Sequence, residues 1–278
     1  MAGVQVVTDS STDIPPDVTG RLGITVIPCL VRFGERFYRE GIDLTRQAFY
    51  ELLRKNPVAT SQPSVGVFEQ IYRQAADRGR QIISIHSSGR LSGIYNAASA
   101  AARNAPQAAI EVIDSHSASL GAGLLAVAAA EAAGRGESLT NIARNVREMA
   151  GRVRVLAVLD TLDYVHRGGR VSWALAMIGS LLSVKPLVML TDGQVDLLER
   201  PRTLAAARRR LVERVRDLGS LEQMWVLHTQ AADSAERLAD MLSSVFPREK
   251  MTIAEAGVAI AAHVGPGAVG VACLVGQI

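Results

Sequence analysis

Residues 82–98 read IISIHSSGRLSGIYNAA. Ile82, Ile83, Ser84 and Ile85 have the character of a buried strand, His86-Ser87-Ser88-Gly89 is a polar turn, and an alanine-rich helical segment begins at about Ser92. Strand, polar turn and helix in that order form the unit of an open α/β sheet, where ligands bind at the carboxyl ends of the strands. The first turn of such a helix offers unpaired N–H groups and a partial positive charge, so an anion is the natural guest. The hydroxyls of Ser87, Ser88 and Ser92 add donors. No lysine follows the glycines as in a phosphate-binding P-loop, and the stretch holds no set of metal ligands. Taken alone, the same serines read equally well as helix caps and turn residues.

The unit recurs along the first half. Val4 to Thr8 is an apolar strand followed by the polar turn Asp9 to Pro15, and Thr25 to Val31 reads as a buried strand. A helix runs from the Asp43-Leu44-Thr45 cap to about Lys55, and Ala59 to Ser64 is a hydroxyl-bearing loop before a helix over 65–77. Ala109 to Ile113 is a strand leaving through Asp114-Ser115-His116-Ser117 into a small-residue helix, Ser119 to Ala133, and a further helix covers Leu139 to Ala150. Alternating strands and helices predict a parallel sheet with Asp and Ser gathered along one rim. A boundary near Gly151 divides the chain into an N-terminal α/β domain, 1–150, and a C-terminal α/β domain, 151–278.

The second half mixes hairpins with helices. Val153 to Val158 is a strand, a short helix ends in the glycines at 168–169, and Ser172 starts an apolar helix to Leu182. Asp192-Gly193 between Leu187–Leu190 and Gln194–Arg200 is a hairpin signal. An arginine-rich helix from Thr203 to Asp217, a strand from Met224 to His228 and a helix from Ala231 to Ser243 follow. Strands are expected near Met251 to Glu255, at Val258 to Ala262 and at Val269 to Val275. This half reads as a mixed-sheet α/β sandwich.

Hydrophobic residues make up 48% of the 278, enough for a large core, and the formal charge is only +3. Arg208, Arg209, Arg210, Arg214 and Arg216 share one helix with interspersed glutamates. A solvated face explains them better than nucleic acid, because no aromatic-plus-basic pattern accompanies them. Cys29 and Cys273 lie far apart within apolar runs and read as small buried hydrophobes. With no charged leader and cleavage site at the start, a cytoplasmic, reducing location is expected. Residues 256–276 carry no Asp, Glu, Lys or Arg and are long enough for a membrane helix, but His263-Val264-Gly265-Pro266-Gly267 interrupts them. Two buried strands around a tight turn are expected there, without stable membrane insertion.

Seven motifs in order carry a family resemblance: TDSSTDIP at 8–15, TSQPS at 60–64, SSGRLSG at 87–93, VIDSHSASLGAG at 112–123, YVHRGGR at 164–170, KPLV at 185–188 and HVGPGAVG at 263–270. Together they resemble the DegV family of bacterial fatty-acid-binding proteins over nearly the whole chain. The resemblance implies a two-domain fold holding one long-chain fatty acid of palmitate, stearate or oleate type in a tunnel between domains, with no cofactor. It implies that the carboxylate meets Thr60, Ser92 and His263, with Ser61, Ser87, Ser88 and Gly93 in the nearby polar loops. It further implies a carrier without catalysis of its own, whose partner is an ATP-dependent fatty acid kinase that makes acyl phosphate for phospholipid metabolism. Arg170 and Arg202 are the candidates for a rim that meets that partner or a phosphate. Ile94 departs from the pattern, since many relatives carry a small polar residue after LSG, and this bears on chain preference.

Elementary chemistry agrees with that ligand. A fatty acid needs an apolar tunnel, for which Leu120–Ala130 and Trp173–Leu182 offer apolar helix surface, and a few donors at one end. Hydrogen bonds to a charged acceptor, about 1.5 to 3 kcal/mol each, offset much of the cost of burying a carboxylate. Each residue also has a plainer role: Thr60 and Ser92 as helix caps, His263 as a core histidine, Arg170 as a solvent-facing side chain. His86, His116, His166 and His228 lack metal-ligand spacing and read as structural or exposed. The competing class is an acyl hydrolase with Ser92 as nucleophile, His263 as base and Asp9 or Asp114 as orienter. Against it, Ser92 sits in no G-x-S-x-G elbow. Nucleotide binding is weaker still, for want of either glycine fingerprint.

Overall fold

The computed structural model describes residues 3–169 and 184–277. Its first half holds β1 (Val4–Asp9), a 3-10 turn (Ser10–Thr12), α1 (Pro16–Leu22), β2 (Thr25–Ile27), β3 (Leu30–Phe33), β4 (Arg36–Arg39), α2 (Arg46–Leu53), β5 (Val58–Ser61), α3 (Val65–Asp77), β6 (Gln81–His86), α4 (Ile94–Arg103), β7 (Ile110–Asp114), α5 (Leu120–Gly134) and α6 (Leu139–Ala150). The second half holds β8 (Val153–Val158), α7 (Asp163–Gly168), β9 (Leu187–Thr191), β10 (Gln194–Glu199), α8 (Leu204–Asp217), β11 (Leu221–His228), α9 (Ala232–Leu242), β12 (Thr252–Glu255), α10 (Val258–Val264) and β13 (Val269–Val275).

The parallel sheet has the order β2-β1-β6-β7, with Val6 opposite Ile83 and Ile85 opposite Ile113. Because these strands run the same way in matching register, their carboxyl ends coincide, and Asp9, His86 and Asp114 each end a strand. The second sheet has the order β10-β9-β8-β13-β11-β12 and is antiparallel except where β12 joins β11. The fold is thus mixed α/β, with a parallel sheet in the N-terminal region and a mixed sheet in the C-terminal region. β9 and β10 form the expected hairpin, whose tip residues Asp192 and Gly193 both have positive φ, the conformation a tight hairpin turn needs.

α5 lies between the two sheets. Its residues from Leu120 to Val127 are all buried, and they pack with Val6, Ile83 and Ile85 of the parallel sheet and with Val153, Val155 and Leu274 of the mixed one. A helix apolar on every side has no face left for solvent and becomes core. The outer face of the mixed sheet is covered by α8 and α9 through Leu211, Val215, Leu238 and Leu242. The division of the chain at 150/151 is retained as a proposal: it separates the sheets, although the core around α5 draws on both halves.

Three local readings change. Pro28 splits the strand expected over 25–31 into β2 and β3. The loop expected at 59–64 begins as β5, which pairs with β3 in a small antiparallel sheet, β4-β3-β5, with Thr60 opposite Val31. Residues 258–264 form α10 rather than a strand. Two acidic side chains of the first half meet its start: Asp13 accepts from the Gly257 N–H at 2.7 Å and Glu40 from the Ala259 N–H at 3.3 Å. Ala261 and Ala262 then pack among Val31, Phe33, Phe49 and Leu53. Among the described residues, no helix is long and apolar enough to cross a membrane.

Candidate functional site

A cavity of about 220 Å³ opens where the loops after β1, β6 and β7 face the mixed sheet. A single buried water needs only about 10 to 15 Å³, so this space fits a substantial ligand. One part of its wall is apolar: Val155, Ala157 and Leu159 from β8 and its exit, Val188 and Leu190 from β9, Val195 from β10 and Leu227 from β11. α10 adds Ile260, His263 and Val264, whose i, i+3, i+4 spacing puts them on one helix face. The apolar wall therefore comes from strands and α10. α5, expected to supply it, is committed to the core, and the apolar helix expected over 172–182 lies outside the described residues.

Polar groups line the remainder: Ser11, Thr60, Ser61, Gln62, Ser87, Ser92 and Ser119, with Gly93 and Cys29. They form two hydroxyl systems. In the first, Thr60 Oγ1 on β5 lies 2.9 Å from His263 Nε2 at the end of α10, and the tautomer decides which atom donates. Gly168 at the end of α7 lies so close that a Cβ there would sit 2.5 Å from His263 Nδ1, so the glycine lets α7 pack on the imidazole. Ser92 Oγ accepts from the Ile94 N–H at 3.4 Å, and among the described residues nothing takes its hydroxyl hydrogen.

The second system is buried and directional. Tyr72 O–H donates to Ser84 Oγ at 2.8 Å, Ser84 Oγ lies 2.7 Å from His86 Nε2, and His86 Nδ1 lies 2.7 Å from Asp9 Oδ2. The other carboxylate oxygen of Asp9 accepts from the Ser11 N–H at 3.0 Å, from the Ser11 hydroxyl, and from the Cys29 thiol at 3.5 Å. Ser11 Oγ in turn lies 2.8 Å from Ser87 Oγ. Burial, then the nearby Asp9 and Glu40 charges, push the Cys29 thiol well above its ordinary pKa, so it stays an S–H donor.

Beside this system, Asp13 accepts from the Ser119 hydroxyl as well as from Gly257. Burial, against the lowering effect of Ser119 and reinforced by the Glu40 charge, pushes the Asp13 carboxyl up to about 8. Burial also raises Glu40, whose Oε2 accepts from Ser10 Oγ at 2.5 Å. These two acids hold the start of the helix whose last turn carries His263.

The expected residues fall as follows. Thr60, Ser92, His263, Ser61, Ser87 and Gly93 line the cavity. Ser88 does not: it is buried, its N–H donates to Ser117 O at 2.7 Å, and its side chain abuts the hairpin tip at Gly193. Arg202 is exposed, just before the Thr203 cap of α8, and is not part of the cavity wall. Arg170 lies outside the described residues. The hydrolase reading gains no support, since His263 Nε2 faces Thr60, Asp9 is committed to His86 and Ser11, and Asp114 accepts from the Gly89 and His116 N–H groups.

Sequence reasoning missed Asp9, His86 and Ser11 as one unit. The signal was the β1–β6 register: Val7 pairs with Ser84, so the strand ends Asp9 and His86 fall side by side. It also missed a second cavity of about 180 Å³ behind the Thr60–His263 pair, lined further by Asn56, Tyr164, Arg167 and Gly168. The Arg167 guanidinium there lies 5.9 Å from the centre of the Tyr164 ring.

The chain is 38% identical over 273 residues to a DegV domain-containing protein of Streptomyces coelicolor, covering 96% of this chain and 97% of that one. A DegV family protein from Thermus thermophilus, described through its fatty acid binding, has a solved structure that superposes with a TM-score of 0.91 at 32% identity, over 98% and 99% of the two chains. DegV of Bacillus subtilis, described as a fatty acid binding protein, gives 0.85 at 33% identity over 99% and 100%. The profile of the family described as "Uncharacterised protein, DegV family" matches residues 3–275, and the chain belongs to the DegV family.

Proposed function

We propose that this protein binds one long-chain fatty acid, tail against the β8–β11 and α10 wall and carboxylate at Thr60, Ser92 and His263, and presents it to an ATP-dependent fatty acid kinase. The observation that carries this reading is the cavity itself, apolar on one side and met on the other by neutral hydroxyls and an imidazole. An anionic head group selects one direction of the Thr60–His263 hydrogen bond. With the hydrogen on Nε2, His263 donates to Thr60 Oγ1, and the Thr60 hydroxyl is released to donate to the carboxylate. Ser92, whose hydrogen no described residue takes, donates beside it. No arginine is required in contact with the head group, because charge-assisted hydrogen bonds offset its desolvation.

Solved relatives described as fatty acid binding support a fatty acid as the ligand, and Arg167 in the adjoining cavity supports an approach route for an anionic reactant on the far side of Thr60 and His263. Lipid extraction of the purified protein, followed by mass spectrometry, should return a single long-chain fatty acid. Extracts that repeatedly contain none, together with no uptake of added palmitate or oleate, would overturn the reading.

A further inference from the structure

Hydrogen accounting assigns the second hydroxyl system the opposite polarity to the first. A serine hydroxyl has one hydrogen to give and two lone pairs. Ser11 gives its hydrogen to Asp9, so in the 2.8 Å contact between Ser11 and Ser87 the donor must be Ser87. Ser87 then has no hydrogen left for the cavity, and neither has Ser11. Both side chains are buried, both line the cavity, and both present only lone pairs to it, backed by the Asp9 carboxylate. Asp9 does not give the hydrogen back: Ser84 accepts from Tyr72 and gives its own hydrogen to His86 Nε2, so the ring carries its hydrogen on Nδ1 toward Asp9, whose other oxygen receives the Ser11 N–H and the Cys29 thiol.

A carboxylate placed there would meet acceptors, and an unbranched hydrocarbon would leave the remaining lone pairs of Ser11 and Ser87 unused. A ligand O–H answers both conditions. We propose that Ser11 and Ser87 form an acceptor subsite that receives the hydroxyl of a hydroxylated fatty acid, so that the cavity favours hydroxy acids over their unsubstituted parents. This rests on the fatty-acid reading above and adds the ligand class. It is a distinctive expectation, since an ordinary apolar tunnel rejects a hydroxyl, which loses its water without gaining a partner.

The test is competitive binding to the purified, delipidated protein. Saturated long-chain acids of one length, carrying the hydroxyl at the α, the β or a mid-chain carbon, are compared with the unsubstituted acid. At least one positional isomer should bind about two- to tenfold more tightly than the parent, the range of one net hydrogen bond. In Ser87→Ala the ratio of that isomer to the parent should fall to about one, whatever becomes of the parent's own affinity. A parent that binds as well as every isomer overturns the subsite on the wild-type protein alone, even if the variant fails to fold. So does a preference that survives in Ser87→Ala. If neither parent nor isomers bind, the fatty-acid reading itself fails and the subsite falls with it.

Discussion

Thr60 and Ser87 put the same functional group against one cavity, yet their surroundings give it opposite signs. Thr60 has an imidazole behind it, which in the proposed reading carries its hydrogen on Nε2, gives it to Thr60 and leaves the threonine hydroxyl to donate. Ser87 has a carboxylate two steps behind it, which draws every hydrogen inward through Ser11. A polar wall is therefore not specified by its hydroxyls; it is specified by the group at the buried end of each chain. The two chains also differ in what they do for the fold. Asp9, His86 and Ser84 are fully buried between β1 and β6, whereas Thr60 sits on the edge strand β5 and is only partly buried.

That difference predicts where stability and binding separate. Asp9→Ala leaves the His86 ring, the Ser11 N–H and the Ser11 hydroxyl without their acceptor in a dry site. Removing one partner of a buried pair costs about 3 to 5 kcal/mol, which denaturant unfolding should detect. A loss below about 1 kcal/mol would mean that Asp9 is not the sink of the buried chain. Thr60→Val, by contrast, nearly keeps the shape of a partly buried edge-strand residue and should unfold close to the parent protein.

Its effect should appear in the ligand. Thr60→Val and Ser92→Ala each remove a donor to a charged group, so each should weaken palmitate or oleate binding by about 1.5 to 3 kcal/mol, or roughly ten- to a hundredfold. Unchanged affinity in both variants would move the carboxylate away from this pair and erase the contrast between the two chains.

How much of this could be read beforehand depended on range. α6, the β9–β10 hairpin and β13 were legible, because capping by Ser138, the Asp192-Gly193 turn and an uninterrupted apolar run are local signals. α10 was misread because five apolar residues at 258–262 fit a strand or a short buried helix equally well. What decides is the pair of carboxyls arriving from Asp13 and Glu40, more than two hundred residues away in sequence. α5 was seen as a helix but assigned to the wrong neighbour, since apolar length says that a helix is buried without saying against what. At the site, Thr60 and His263 meet across 203 residues, and only the family resemblance brought them together in advance. The Asp9–His86 pair escaped because a lone histidine has no periodicity to betray it.

A third hydroxyl–carboxylate pair, Ser119 and Asp13, sharpens the comparison through pH. Its acid is held by burial at about 8, well above the roughly 3.9 of an unfolded aspartate. With the folded value raised, the folded state holds the proton longer. The stabilisation is complete below about pH 4 and is lost as pH rises toward about 8. Glu40, raised by burial as well, acts in the same direction. Asp13→Asn keeps acceptor capacity for Gly257 but cannot ionise. Between about pH 5 and pH 8 its unfolding midpoint should fall less steeply than that of the parent protein, and parallel slopes would show that Asp13 does not carry the linkage.

Arg202 lies outside both hydroxyl chains and should therefore have the smallest effect on either fold or ligand. It is exposed beside the cap of α8, where surface substitutions usually change stability by less than about 0.5 kcal/mol. Its expected part is in the partner step: a rim charge changes encounter and its salt dependence, while a buried donor changes retention of the ligand. Arg202→Ala should copurify with fatty acid and bind added palmitate within about twofold of the parent protein. Supplied with ATP and a fatty acid kinase, it should form acyl phosphate more slowly, with the deficit shrinking as salt is raised, because screening removes from the parent protein the advantage the variant already lacks. If Arg202→Ala instead purifies empty and is phosphorylated normally once lipid is restored, Arg202 acts on the pocket, and the separation between ligand retention and partner encounter does not hold at this position.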